Sequence, residues 1–95
     1  MAITVEFLSL PNVVKMVGSK TIEMDYSGQT VETLIRQVAD KYGKNVARFL
    51  LDDTGRLDMT FKVMRNKEEW IHSDQMQRPL EDGDRLTIMM LVAGG

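Results

Sequence analysis

Apolar and polar residues alternate in several short stretches of this 95-residue chain, and alternation is the period of β-strands. The stretches are residues 3–10, 20–26, 60–65 and 85–91, with 70–72 as a very short fifth. Pro11 and Asn12 close the first stretch, and Gly18 and Ser19 form a turn before the second. The first two strands are therefore predicted to form a hairpin with a long connection.

The period changes to that of a helix after the second strand. Residues 31–42 place an apolar stripe on one helical face, made of Val31, Leu34, Ile35, Val38, Ala39 and Tyr42. Thr30 stands where an N-cap hydroxyl belongs, and Gly43 stands where a C-terminal glycine belongs. Residues 45–51 predict a second, shorter helix.

This order of elements predicts an α+β domain, in which a mixed sheet of four or five strands packs on one main helix. A crossover through the helix allows a later strand to pair in parallel with the first at the centre of the sheet. The predicted core face consists of Ile3, Val5, Phe7, Phe61, Val63, Leu86, Ile88 and Met90.

The same alternation places four apolar residues on the outward face of the sheet, namely Leu8, Met64, Met89 and Leu91. One interpretation is a soft docking surface beside the chain end, since methionine adapts to different partner surfaces. The other is a set of scattered exposed apolar residues, which are common on any protein. Trp70 is predicted to pack into the domain, and the alternative is a binding anchor on its surface.

Composition removes several function classes. A net charge of −2 gives no basic footprint for nucleic acid, and no apolar run approaches the roughly 20 residues of a membrane span. The first residues do not resemble an export signal, so a cytoplasmic location is expected. There is no cysteine, and the one histidine, His72, lacks the spacing of a metal ligand set. No metal site and no bound cofactor are expected.

The chain ends in Val92, Ala93, Gly94 and Gly95. Two glycines without Cβ atoms make a thin segment, which suits a carboxylate that must enter another protein's active site. The alternative is a frayed terminus without a function. Because there is no cysteine, sulfur chemistry on this chain would have to use the terminal carboxylate.

The segment Leu80–Ile88, followed by this tail, resembles the end of the MoaD-type sulfur carriers, which include the small subunit of molybdopterin synthase, ThiS and CysO. The helix start from Thr30 to Leu34 is also similar to theirs. The resemblance implies a ubiquitin-like β-grasp domain over residues 1–91 and a flexible Gly-Gly tail over 92–95. Residues 67–77 do not match the family pattern.

The resemblance also implies a function. Gly95 would be adenylated with ATP by a separate activating enzyme and converted to a thiocarboxylate that donates sulfur in molybdopterin biosynthesis. The partners would be that enzyme and the molybdopterin synthase large subunit, contacted through Gly94, Ala93, Val92, Leu91, Met89, Met64 and Leu8. The chain would act as a non-catalytic carrier subunit. Sulfur carriage for thiamine or cysteine biosynthesis, ubiquitin-like protein modification and non-covalent binding remain alternatives.

Overall fold

The computed structural model describes residues 1–90. Five strands lie at β1 (Ala2–Leu8), β2 (Thr21–Asp25), β3 (Phe61–Arg65), β4 (Glu69–Ile71) and β5 (Arg85–Met90). Three helices lie at α1 (Pro11–Val17), α2 (Val31–Tyr42) and α3 (Lys44–Leu50), and a short 3-10 turn spans Ser73–Gln75.

The strands form one mixed sheet in the order β2-β1-β5-β3-β4. β5 lies at the centre, parallel to β1 and antiparallel to β3, while β1–β2 and β3–β4 are antiparallel pairs. The predicted α+β class, the strand count and the central parallel pair are therefore confirmed. The central position matters because β5 is the strand that leads toward the chain terminus.

Helix α2 forms as its sequence pattern predicts. Thr30 Oγ1 accepts a hydrogen bond from the backbone N–H of Thr33 at 3.2 Å and so satisfies one free donor of the first turn. At the C-terminal end of the helix, the N–H of Gly43 donates to the backbone carbonyl of Ala39. Gly43 has φ +100° and ψ −179°, a conformation reserved for glycine, and it lets α3 begin directly after α2.

Helix α1 is a departure from the prediction, since the long connection between β1 and β2 is itself helical. Pro11 occupies the start of the helix, where a missing N–H costs nothing, although it looks like a strand terminator in the sequence. Val13 is buried below it, and Gly18 ends the helix with φ +90°. Seven residues are too few for a helical period to stand out.

One core lies between the sheet and the helices. It contains the predicted strand residues Ile3, Val5, Phe7, Phe61, Val63, Leu86 and Ile88 and the stripe of α2 from Val31 to Val38. Met90 was predicted to join this core, and that prediction is wrong because the residue is 38% exposed. Met90 is the last residue of β5. It lies on the predicted face of the strand, but the core does not extend as far as this residue. Within residues 1–90, none of the helices has the length and apolar character that crossing a bilayer requires.

Candidate functional site

Five of the predicted site residues, Leu91, Val92, Ala93, Gly94 and Gly95, lie outside the described residues. Their attachment point is described, because Met90 ends β5. Covalent geometry limits the reach of five residues to roughly 18 Å. The end of β5 is therefore the part of the described domain to which the predicted reacting residue is attached.

The start of β5 is held by Asp84, which is buried although it is charged. Its Oδ2 lies 2.9 Å from Nη2 of Arg65 and accepts the N–H of Glu81 at 2.8 Å. Its Oδ1 accepts from the amide of Asn66 at 3.2 Å, and its carbonyl accepts the N–H of Thr4 at 2.9 Å. Asp84 thus connects the end of β3, the start of β1 and the start of β5.

These bonds explain the Leu80–Ile88 motif in structural terms. Leu80, Leu86 and Ile88 are buried apolar residues of the core. Gly83 has φ +88° in the turn, and its N–H donates to the carbonyl of Ala2 at 3.0 Å. The motif therefore fixes where β5 begins and in which direction it runs, while the reacting atoms are expected elsewhere.

The pKa of Asp84 is lowered from its ordinary value. Burial alone would raise the pKa, but the N–H of Glu81, the amide of Asn66 and the charge of Arg65 together outweigh that effect. The carboxylate is therefore charged at neutral pH and acts as a structural acceptor.

The face of the sheet opposite the core, here called the open face, carries the predicted docking residues. Leu8 of β1 is 36% exposed and is the register neighbour of Met89 on β5. Met64 of β3 and Met89 are half-buried. The predicted outward orientation of all three residues is confirmed, and the sheet places them on three adjacent strands.

Trp70 extends this surface. It pairs with Met64 across β3 and β4 and is 45% exposed, so the prediction that it packs into the domain is wrong. β4 is a short strand at the edge of the sheet, and within residues 1–90 no further strand pairs beyond it to cover the indole of Trp70. Trp70 and Ile71 are successive strand residues and therefore point to opposite faces. This alternation is the sequence signal that could have placed Trp70 outward, since Ile71 is buried. Leu8, Met64, Trp70 and Met89 are called the open-face patch below.

A buried glutamate borders the patch. Glu6 is only 7% exposed, and its Oε1 accepts hydrogen bonds from Arg85 Nε at 3.4 Å and Thr87 Oγ1 at 3.2 Å. The amines of Lys20 and Lys67 each lie 4.0 Å from its carboxylate oxygens. Burial would raise the pKa of Glu6, but Arg85, Lys67 and Thr87 outweigh it and lower the pKa. Sequence alternation indicated the orientation of Glu6 but not its burial.

His72 is exposed and precedes the 3-10 turn, where its backbone N–H donates to Gln75 Oε1 at 3.0 Å. Among residues 1–90, no group of three or more His, Cys, Asp or Glu side chains is arranged to hold a metal ion. The described part of the chain thus presents a partly exposed apolar patch on the open face and a strand whose start is held by Asp84.

Comparison with known proteins agrees with this architecture. Residues 12–95 match the ThiS family. The chain belongs to the ThiS family. This is a family of ubiquitin-like sulfur carriers and modifiers with the β-grasp fold, as the sequence resemblance implied.

Individual relatives share most of their length with this ThiS-family chain. It is 30% identical to small archaeal modifier protein 3 of Haloferax volcanii over 82 residues, which cover 85% of this chain and 87% of that protein. The solution structure of the Haloferax volcanii HVO 2177 protein matches with a TM-score of 0.75 and 29% identity, over 100% of this chain and 87% of that one. A chain of the Amycolatopsis orientalis BexX/CysO complex matches with a TM-score of 0.73 and 29% identity, over 99% and 100%.

Proposed function

We propose that this ThiS-family chain is a sulfur carrier that reacts through the carboxylate of Gly95. The observation that carries the proposal is the family match, which runs to Gly95, on a domain whose central strand leads toward that residue. Sulfur carriage also agrees with the absence of cysteine, since the terminal carboxylate is then the available attachment point.

The chemistry needs activation because an ionised carboxylate is a poor electrophile. A separate adenylating enzyme would join the Gly95 carboxylate to AMP and release pyrophosphate from ATP. Attack by hydrosulfide, or an equivalent sulfide-level donor, on the carbonyl carbon forms the C–S bond and expels AMP. The product is a thiocarboxylate, and no net oxidation or reduction occurs. In the acceptor enzyme the thiocarboxylate sulfur would bond to an electrophilic carbon of the acceptor and displace that carbon's leaving group, which gives a thioester. Water would then cleave the acyl C–S bond, leave the sulfur on the acceptor as a thiol and return the carboxylate.

We assign the open-face patch to docking of these enzymes. It adjoins the end of β5, and the short reach from Met90 to Gly95 brings any enzyme that takes the tail against this part of the domain. Exposed methionine and tryptophan supply apolar area that can fit more than one partner. The small residues Ala93 and Gly94 would provide the clearance for entry into a narrow channel.

For the acceptor, we propose the large subunit of molybdopterin synthase. The similarity of Leu80–Ile88 and of the Val-Ala-Gly-Gly segment to the MoaD-type carriers supports this assignment. Carriage for cysteine or thiamine biosynthesis is the alternative within the same chemistry, and the 29% identity to a chain of the BexX/CysO complex supports keeping it. Reconstitution with each acceptor enzyme and thiocarboxylated chain would separate these pathways by product.

A second candidate function is protein modification, which the similarity to small archaeal modifier protein 3 favours. The same adenylate would then pass Gly95 to a lysine amine and form an isopeptide bond. Tryptic digestion of cellular proteins would leave residues 86–95 attached to target lysines, because Arg85 is the last tryptic site of the sequence. A dedicated carrier would leave no such remnant.

The deciding experiment is intact-mass spectrometry after incubation with the adenylating enzyme of the same genome, ATP and sulfide. The full chain should gain a species with one oxygen replaced by sulfur, and the same reaction without ATP serves as the control. A variant that lacks Gly95 should give no such species. Full conversion of that variant, or no conversion of the full chain, would contradict the proposal.

A further inference from the structure

Two lysines flank the part of the open face that lies next to the end of β5. Met89 has Leu8 on one side, in β1, and Lys62 on the other, in β3. The carbonyl of Lys20 accepts the N–H of Phe7, one residue before Leu8, and the Lys20 amine lies 4.0 Å from Glu6 on the open face. The Leu8–Met89 pair therefore has a lysine on each side, and Lys20, Leu8, Met89 and Lys62 are called the row below.

The charges around this row are unbalanced. Both lysines are exposed, and Lys67 and Arg85 add two more cations on the same face. Glu6 is the single carboxylate among them, and it is buried. The other carboxylates of the face, Glu23 and Asp25, lie on the edge strand β2 beside Thr4 and Ala2, away from the Leu8–Met89 row. This concentration of positive charge occurs on a chain whose net charge is −2.

The contacts of Glu6 explain how the cations can gather there. Its carboxylate holds Arg85 at 3.2 Å and lies 4.0 Å from the amines of Lys20 and Lys67. Their mutual repulsion is thereby reduced, yet Lys20 and Lys67 keep most of their side-chain surface in water. Lys62, among residues 1–90, is in no ion pair and adds an uncompensated charge beside Met89.

We propose that the Lys20–Leu8–Met89–Lys62 row docks on the adenylating enzyme at an apolar contact bordered by carboxylates. This inference rests on the proposed function, because the reach from Met90 makes an enzyme that binds Gly95 cover this row. The apolar pair provides contact area, and the two lysines attract the acidic border before contact. Charge of this kind acts mainly on the association rate and weakens as salt is added.

The test compares two double variants with equal charge changes. Lys20→Glu/Lys62→Glu reverses the row, and Lys41→Glu/Lys44→Glu reverses two exposed lysines on the helical layer. Stopped-flow association with the adenylating enzyme is measured from low to high ionic strength, after thermal unfolding has shown that both variants fold. We expect the row variant to associate about tenfold more slowly at low salt, with the difference shrinking at high salt. The control should stay within about twofold of the unmodified chain.

Equal rates for the two double variants, or slowing that does not depend on salt, would overturn the inference. Loss of binding to a polyuridine probe by the row variant, with unchanged association to the enzyme, would also overturn it and assign the cations to a polyanion. The proposed function is judged separately by the thiocarboxylate yield at saturating enzyme and long times. That yield should be equal in all three proteins, since the tail is intact in each.

Discussion

Arg65 Nη2 lies 2.9 Å from Asp84 Oδ2, and this ion pair joins the last residue of β3 to the residue before β5. Both side chains are largely shielded from water, with Arg65 15% and Asp84 7% exposed. β5 is therefore held at its start by charge and hydrogen bonds, and along its length by β1 and β3. The pair fixes the strand from which the reacting tail extends.

Replacing Asp84 by asparagine should destabilise the domain by about 3 kcal/mol, because Arg65 would remain partly buried without its counter-charge. Urea unfolding followed by circular dichroism measures the change. Asp82→Asn is the matched control, since Asp82 is exposed in the same turn and should change the free energy of unfolding by less than about 0.5 kcal/mol. Equal effects of the two substitutions would show that the Arg65 pair does not stabilise the fold.

Acid should destabilise the domain through the same carboxylate. The folded-state pKa of Asp84 lies below its ordinary value of 3.8, and that of Glu6 lies below 4.5. The unfolded chain therefore binds protons first as the pH falls, so stability is fully present well above pH 4.5 and is lost through the lowered folded-state pKa values. The measurement is the free energy of unfolding at a series of pH values from 7 downward.

The Asp84→Asn variant isolates one contribution to this acid profile. The pKa values of two further carboxyls are also lowered, that of Asp52 by the Thr54 hydroxyl and that of Glu69 by Arg78. The loss of stability in acid is therefore the sum of the contributions of several carboxyls. The variant should lose less stability than the unmodified chain between neutral and acid pH, because it lacks one group that takes up a proton on unfolding. Parallel profiles for the two proteins would contradict the lowered pKa of Asp84.

The junction between α2 and α3 depends on Gly43. Alanine at φ +100° and ψ −179° would be strained, and we expect Gly43→Ala to cost about 2 kcal/mol of unfolding free energy. Among residues 1–90, no atom beyond Gly43 and its two chain neighbours lies within 4 Å of the added Cβ, so the cost should come from the backbone alone. Lys44→Ala tests the next position without this strain and should be nearly neutral in the same urea experiment. A stabilising Gly43→Ala would mean that the junction can relax.

Sequence patterns predicted the fold where many residues repeat one signal. Helix α2 has three turns of stripe and a residue suited to each cap, so Thr30 and Gly43 could be assigned before any coordinates. Helix α1 has two turns and opens with Pro11, which reads equally well as the end of a strand. A local sequence pattern of that length does not distinguish a helix from a strand end. The segment is helical in the structure, where Val13 is buried.

The candidate site was predictable in orientation but not in burial. Alternation placed Met64 and Met89 outward correctly, since it depends only on the pleat of each strand. Alternation could not show that Met90 lies beyond the core or that Trp70 lies on the edge strand of the described sheet, because both facts depend on where the sheet ends. The burial of Glu6 depends on Arg85, 79 positions away along the chain, and no local signal reports that contact.

The open-face patch should contribute to affinity for the adenylating enzyme more than to stability. Trp70→Ala removes the largest exposed ring of the patch, and exposed aromatic residues often dominate interface energies. We expect the dissociation constant to rise about tenfold, as measured by titration calorimetry, with an unfolding free energy within about 1 kcal/mol of the unmodified chain. Met16→Ala is the control, because Met16 is 37% exposed on helix α1, in the helical layer. If Met16→Ala weakens binding as much as Trp70→Ala does, the enzyme contacts the helical layer and the open-face assignment is wrong.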